Sequence, residues 1–298
     1  MLRRKMAALT LETKLKMPSG YEIPQLGFGV WQTPARDAQD VVTTALATGY
    51  RHIDSAAAYR NESGCAASIL SSSLPRSSIF FTSKVPTTGI SYNGAKAQVA
   101  KTLSVTGLDY IDLMLLHAPY GGSAGRKGAW KALVEAVEEG KVRSIGVSNY
   151  GVHHLDELET HIKELEEERG GKGMGGVLSV GQWEIHPWCA RRDIIEWCAK
   201  RGVVVEAYSP LVRGERWGEK VLKGLAAKYG KSEAQVLVRW SLQRGLVPLP
   251  KSVTPGRIKE NSEVFDFELT EGEMDELETE EYDPVCWDPT TSPLDNRR

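Results

Sequence analysis

Cysteine is scarce: 298 residues hold only Cys65, Cys189, Cys198 and Cys286, with no C-x-x-C pair. That spacing excludes a disulfide-stapled scaffold and a clustered Cys/His metal site. It suits free thiols in a reducing compartment, so the expected location is cytoplasmic and no metal is expected. No run of about 18 uninterrupted apolar residues occurs, which removes a transmembrane helix. Net charge is only −2 and no dense basic face stands out, so neither nucleic acid nor membrane is an expected partner. Also missing is a G-x-G-x-x-G after the first strand pattern. LGFGVWQTP carries Gly27 and Gly29 but no third, helix-opening glycine, which argues against an open dinucleotide-binding sheet.

What is present is alternation. Short apolar or β-branched runs fall at about residues 26–30, 51–54, 79–83, 110–116, 142–147, 177–182, 203–207 and 247–249. Helical patterns with apolar residues three and four apart lie between them, at 37–48, 94–104, 129–139, 192–200 and 233–243. Gly49, Gly107, Gly140, Gly202 and Gly245 stand just before a strand, where a helix C-terminus needs them. Eight such units predict an α/β fold, a (β/α)8 TIM barrel of one domain. Pro18, Ser19 and Gly20 predict an N-terminal β-hairpin capping it.

Arg3, Arg4 and Lys5 precede a short apolar stretch broken by Glu12 and Lys14, which reads as an extension rather than a signal peptide. The expected division is an extension at 1–14, the barrel at 15–283 and a C-terminal tail or loop over the substrate site at 284–298. The acidic, glycine-rich stretch 155–176 is an αβ connection and belongs on the face opposite the chemistry.

Four residues sit at or just past predicted strand ends: Asp54 and Tyr59 in RHIDSAAAYRNE, Lys84 after SIFFTS, and His117 after YIDLMLL. Singly, each has a structural explanation. Together they form a proton-delivery set, because an ammonium lowers a phenol's pKa, a carboxylate holds that ammonium charged, and an imidazole orients an oxygen or shares its proton as pH changes. A second grouping lies in PKSVTPGRIKEN, where Lys251 and Arg257 flank a helix start at Thr254 and Pro255, an arrangement that suits a phosphate.

These segments resemble the aldo-keto reductase superfamily over residues 15 to 283. GYRHIDSAAAYRNE, from Gly49 to Glu62, is similar to the family's long opening signature G-[YF]-R-H-I-D-x-A-x-x-Y-x-N-E. The resemblance implies an NADPH/NADP+-dependent oxidoreductase of the carbonyl reductase type, with Tyr59 as proton donor to the carbonyl of an aldehyde or ketone. Lys84 and His117 would assist it, and Asp54 would pair with Lys84. GKVRSIGVSNY implies that Ser148 and Asn149, with Gln182 of VGQWEIHPW, hold the nicotinamide carboxamide. EAYSPL implies that Tyr208 stacks on the ring, with Ser209 and Leu211 also at the cofactor. The last signature, Pro250 to Asn261, implies a grip on the adenosine 2′-phosphate by Lys251, Ser252, Val253, Arg257, Glu260 and Asn261.

The chain departs from relatives carrying K-x-W and H-W-P: it has Lys84-Val85-Pro86 and His117-Ala118-Pro119. Two aromatic walls are missing, so the expected substrate pocket comprises Trp31, Tyr59, His117, Pro86, Ala118 and Tyr120, with Trp217 or Trp287 as further walls and a bulky or aromatic carbonyl as its guest. Arg213 and Arg216 are available for a pyrophosphate. The remaining partner is small-molecule substrate, and the expected state is a monomer or weak homodimer. The alternative is a nucleotide-binding regulatory protein on the same barrel with little turnover, against which the intact foursome argues.

Overall fold

The computed structural model describes residues 9–296; residues 1–8 of the expected extension and the last two of the tail lie outside them. The predicted hairpin is present as antiparallel β1 (Lys14–Lys16) and β2 (Glu22–Pro24). Eight parallel strands follow: β3 (Phe28–Gly29), β4 (His52–Asp54), β5 (Phe80–Val85), β6 (Ile111–Leu116), β7 (Val142–Ser148), β8 (Leu178–Glu184), β9 (Val204–Tyr208) and β10 (Val247–Pro248). Each pairs with the next in chain order. The first and last meet through Gly27 N–H donating to Pro248 O and Gly29 N–H to Pro250 O, both 3.1 Å, which closes the barrel.

Helices α1 (Ala38–Thr48), α2 (Glu62–Ser71), α3 (Tyr92–Thr106), α4 (Gly122–Glu138), α5 (Val152–Arg169) and α6 (Arg192–Ala199) occupy successive crossovers. Then come α7 (Lys220–Tyr229) and α8 (Glu233–Gln243) before β10, and α9 (Pro255–Glu260) and α10 (Glu271–Leu277) after it. α1 stops at Gly49 with φ of +112°, a left-handed value that L side chains resist. No described helix is long and apolar enough to cross a membrane.

The period-two alternation of the strands splits the core in two. Met114 and Leu116 of β6 face the helices, whereas Leu113 and Leu115 face the barrel axis with Phe80, Val180, Val204 and Val247. Met17 and Ile23 of the hairpin join that inner cluster, so the hairpin stoppers the barrel with apolar side chains. Four strands then carry the inward-facing parity upward and become polar on the way: Phe80, Thr82 and Lys84; His52 and Asp54; Val180, Gln182 and Glu184; Val204, Glu206 and Tyr208. The glycine-rich stretch after α5 lies before β8, on the face away from these strand ends, where the Trp130 indole N–H donates to Gly175 O at 2.8 Å.

Candidate active site

All four members of the predicted set come to one rim. Asp54 ends β4, Lys84 is the last residue but one of β5, His117 follows β6, and Tyr59 closes a 3₁₀ turn (Ala57–Tyr59) just past β4. That turn is pinned by Asn61, whose amide donates to Val30 O (2.9 Å) and Thr33 O (3.0 Å) and whose Oδ1 accepts the Ser55 hydroxyl (2.8 Å).

Lys84 is fully buried, and its ammonium donates to Asp54 Oδ1 and Oδ2, both 2.8 Å, and to Ser55 O at 2.9 Å. Burial works against its charge, but the Asp54 carboxylate and the nearby Tyr59 outweigh it, and the pKa lies above the ordinary lysine value. The Tyr59 ring centroid is 5.1 Å from that ammonium and 5.8 Å from the His117 ring.

Two electrostatic expectations are corrected. Burial raises the Tyr59 pKa more than the Lys84 charge lowers it, so the phenol keeps its proton near neutrality. His117 falls to about 3, through burial and then the Lys84 charge, so it is neutral across the working range and does not share a proton as pH changes there.

Below the pair lies a polar junction that adds Glu206 and His52, neither of them in the predicted site, to Asp54 and Gln182. The Gln182 amide donates both to Asp54 Oδ2 (2.9 Å) and to Glu206 Oε2 (2.7 Å). Burial, then the Asp54 charge, pushes Glu206 up to about 8, while burial drops His52 to about 3. The two therefore approach to 3.3 Å without forming an ion pair near neutrality, and His52 meets the Thr82 hydroxyl at 3.1 Å. A lone Glu in the apolar run VVVEAY was the available sequence signal for Glu206.

The rim opens into a cavity of about 650 Å³, lined by Asp54, Tyr59, His117 and Pro86 on one side and by Ser148, Asn149, Gln182 and Tyr208 on another. Tyr208 donates its hydroxyl to Asn149 Oδ1 at 2.8 Å, and the Asn149 amide donates to His117 O at 3.0 Å, which ties β6, β7 and β9 together around the opening. Of the seven non-glycine residues with positive φ among the described residues, Gln32, Asn149, Ser209 and Arg213 line this cavity, a concentration of backbone strain where ligand sites collect it.

Ser209, Leu211, Arg213, Lys251, Trp31, Cys286 and Trp287 also line it. Lys251 is half-buried, its pKa lowered by burial, and no carboxylate among the described residues pairs with it. An uncompensated cation at a cavity wall fits a phosphate-bearing ligand. Ser252, Val253, Arg257, Glu260 and Asn261 lie outside the lining, around the start and end of α9: Arg257 and Val253 are exposed, Ser252 and Asn261 are buried, and the Ser252 hydroxyl accepts Thr254 N–H at 3.1 Å.

Other wall candidates separate. Ala118 is fully buried and does not reach the cavity. Tyr120 stands behind Trp287, ring centroids 5.8 Å apart, and Trp217 faces away into a shallow surface depression. Arg216 is engaged by Glu219, Glu281 and Asp283, whereas Arg213 stacks 5.4 Å from the Trp31 ring at the cavity.

The model of the Aldo/keto reductase family matches residues 25–280. An uncharacterized oxidoreductase of Schizosaccharomyces pombe, C2F3.05c, is 42% identical over 286 residues, covering 94% of this chain and 98% of that protein. The glyoxal reductase of Bacillus subtilis is 38% identical over 272 residues, covering 90% and 93% respectively. Among solved structures, a Gox0644 variant in complex with NADPH superposes with a TM-score of 0.84 at 32% identity, covering 95% of this chain and 99% of that one. Its barrel, its rim and these matches along nearly the whole length agree: the chain belongs to the aldo/keto reductase family.

Proposed function

We propose that the protein is an NADPH-dependent oxidoreductase that reduces an aldehyde or ketone to an alcohol, with Tyr59 as the proton donor. The observation that carries this reading is the buried Asp54–Lys84 pair set beside the Tyr59 ring in a cavity whose wall also bears an unpaired Lys251. NADPH, when bound, supplies the hydride; its place is supported by the family, by the NADPH complex of the Gox0644 variant and by the charge of Lys251.

Tyr59 holds its proton at neutral pH because burial favours the neutral phenol, while the fixed ammonium of Lys84 stabilises the negative charge that develops as the proton leaves. Asp54 holds that ammonium in place, and neutral His117 orients the carbonyl oxygen without competing as an acid. Ser148, Asn149 and Gln182 would hold the carboxamide, Tyr208 would stack on the ring, and Lys251 and Arg257 would take the 2′-phosphate. In this reading residues 15–283 form the catalytic barrel and the described part of the tail, 284–296, the cover of the substrate side. The four free thiols suit the reducing cytoplasm.

The test is NADPH oxidation followed by absorbance with glyoxal and with a nitrobenzaldehyde. Tyr59→Phe should lower kcat by about 10²- to 10⁴-fold and leave NADPH affinity unchanged. Near-normal turnover in Tyr59→Phe would remove Tyr59 from its role, and tight NADPH binding with no turnover of any carbonyl by the native protein would favour a regulatory function.

A further inference from the structure

The last residue of β8, Glu184, is fully buried; its main-chain O accepts Arg191 Nε–H at 3.3 Å, but its carboxylate pairs with no lysine or arginine among the described residues. Its carboxylate instead accepts two successive backbone N–H groups from the C-terminal segment, Val285 to Oε1 at 2.6 Å and Cys286 to Oε2 at 3.0 Å, together with the His186 Nε2–H at 2.9 Å. Burying a carboxylate without a cation is costly, and an apolar side chain would fill the same space at less expense. What an apolar residue lacks is the ability to hold two main-chain donors in one place.

The segment so held is irregular and is fastened elsewhere through Asp283 N–H to Trp188 O at 2.9 Å and Arg213 to Val285 O at 3.2 Å, but Glu184 alone takes the Val285 and Cys286 amides. Around residues 282–288 the only ladder contact is an isolated bridge between Tyr282 and Cys189. A second fastening lies just beyond, where the Arg191 guanidinium donates to Asp288 Oδ1 (3.0 Å) and to the Thr290 hydroxyl (2.8 Å), and the Tyr282 hydroxyl bonds Asp288. Between the two fastenings stands Trp287. It lines the cavity beside Cys286, with its ring centroid 6.5 Å from that of His117.

We infer that Glu184 is a positioning residue that sets carbonyl selectivity, clamping the C-terminal strap so that Trp287 forms an aromatic wall of the cavity beside His117. This rests on the cavity being the carbonyl site proposed above. Aromatic aldehydes, which need the wall, should depend on it, and glyoxal, too small to reach it, should not.

Hydrogen exchange of the peptide carrying Val285 to Trp287 tests the clamp without turnover. In the native protein these two amides should be protected although the segment is irregular, and Glu184→Gln should speed their exchange by about 10- to 100-fold, the loss expected for hydrogen bonds to a charged acceptor. In the same variant KM for a nitrobenzaldehyde should rise about tenfold, with glyoxal kinetics and NADPH affinity within about twofold, and the rise should vanish in a Trp287→Ala background. Rapid exchange of both amides in the native protein, or unchanged exchange in the variant, overturns the clamp. Faster exchange with no selective rise in KM overturns the link to selectivity. Absence of any carbonyl turnover by the native protein sinks the functional reading instead, and leaves the exchange result standing.

Discussion

The two charged ends of the cavity are built on opposite principles. At the inner end Lys84 is sealed from water and its ammonium meets three oxygens of the protein itself, whereas at the outer end Lys251 is half-exposed and has no carboxylate partner among the described residues. Inside, the protein has completed its own charge pairing, so nothing needs to reorganise when a proton moves. Outside, the cation is left for a ligand's negative charge to complete. Under the proposed function the inner end would serve folding as well as chemistry, and the outer end binding alone.

The strongest way to break that contrast is Lys84→Met. It leaves the buried Asp54 without its cation, so it should cost about 3–5 kcal/mol of stability in addition to abolishing turnover. Urea unfolding at neutral pH measures it, and adding Asp54→Asn should recover part of the loss; a variant as stable as the native protein would mean that the pair carries no structural weight.

Glu206→Gln probes the same end through pH. A carboxyl whose folded pKa is raised to about 8 contributes stability that is complete below its unfolded value near 4.5 and is lost as pH rises through about 8. His52, lowered to about 3, has the opposite slope below its unfolded value of 6.5, so the two partly cancel there. The stability difference between Glu206→Gln and the native protein isolates the carboxyl. It should grow by ~1.4 kcal/mol per pH unit inside that window, to ~3 kcal/mol near pH 7. A flat difference across urea midpoints taken from acid to mildly basic pH would show that Glu206 is not held protonated.

The smallest effect on folding belongs to the outer end. Lys251→Met and Arg257→Met should change stability by less than about 0.5 kcal/mol, yet weaken NADPH about 10- to 100-fold, and NADH less. Calorimetric titration with both nucleotides decides it, because equal losses would remove the 2′-phosphate from the role of these residues.

Much of the inner end was legible in the chain. The apolar run LMLL before His117 predicts an interior strand, and the structure buries all of Ile111–Leu116. Each rim residue's place at a strand end follows from local pattern, as for Asp54 after the short run RHI. Less legible were the walls. Trp31 lines the cavity and Trp217 does not, although both are exposed tryptophans in loops, because loop paths depend on distant fastenings such as Arg213 to Val285 O at 3.2 Å. The net direction of the Tyr59 pKa was illegible for a similar reason. A nearby ammonium can be inferred from residue types, but how deeply the ring is buried cannot.

By itself the sequence determined the barrel, its hairpin stopper and the four residues at one rim, since hydrophobic periodicity and glycine stops act over a few residues and repeat along the chain. Tertiary structure alone decided which polar groups complete one another. Gln182 reaches Asp54 across 128 positions and Glu184 holds Val285 across 101, contacts that exist because a closed barrel brings distant strand ends together around one cavity. Their hydrogen bonds are short-ranged and directional, so only the closed fold selects the partners.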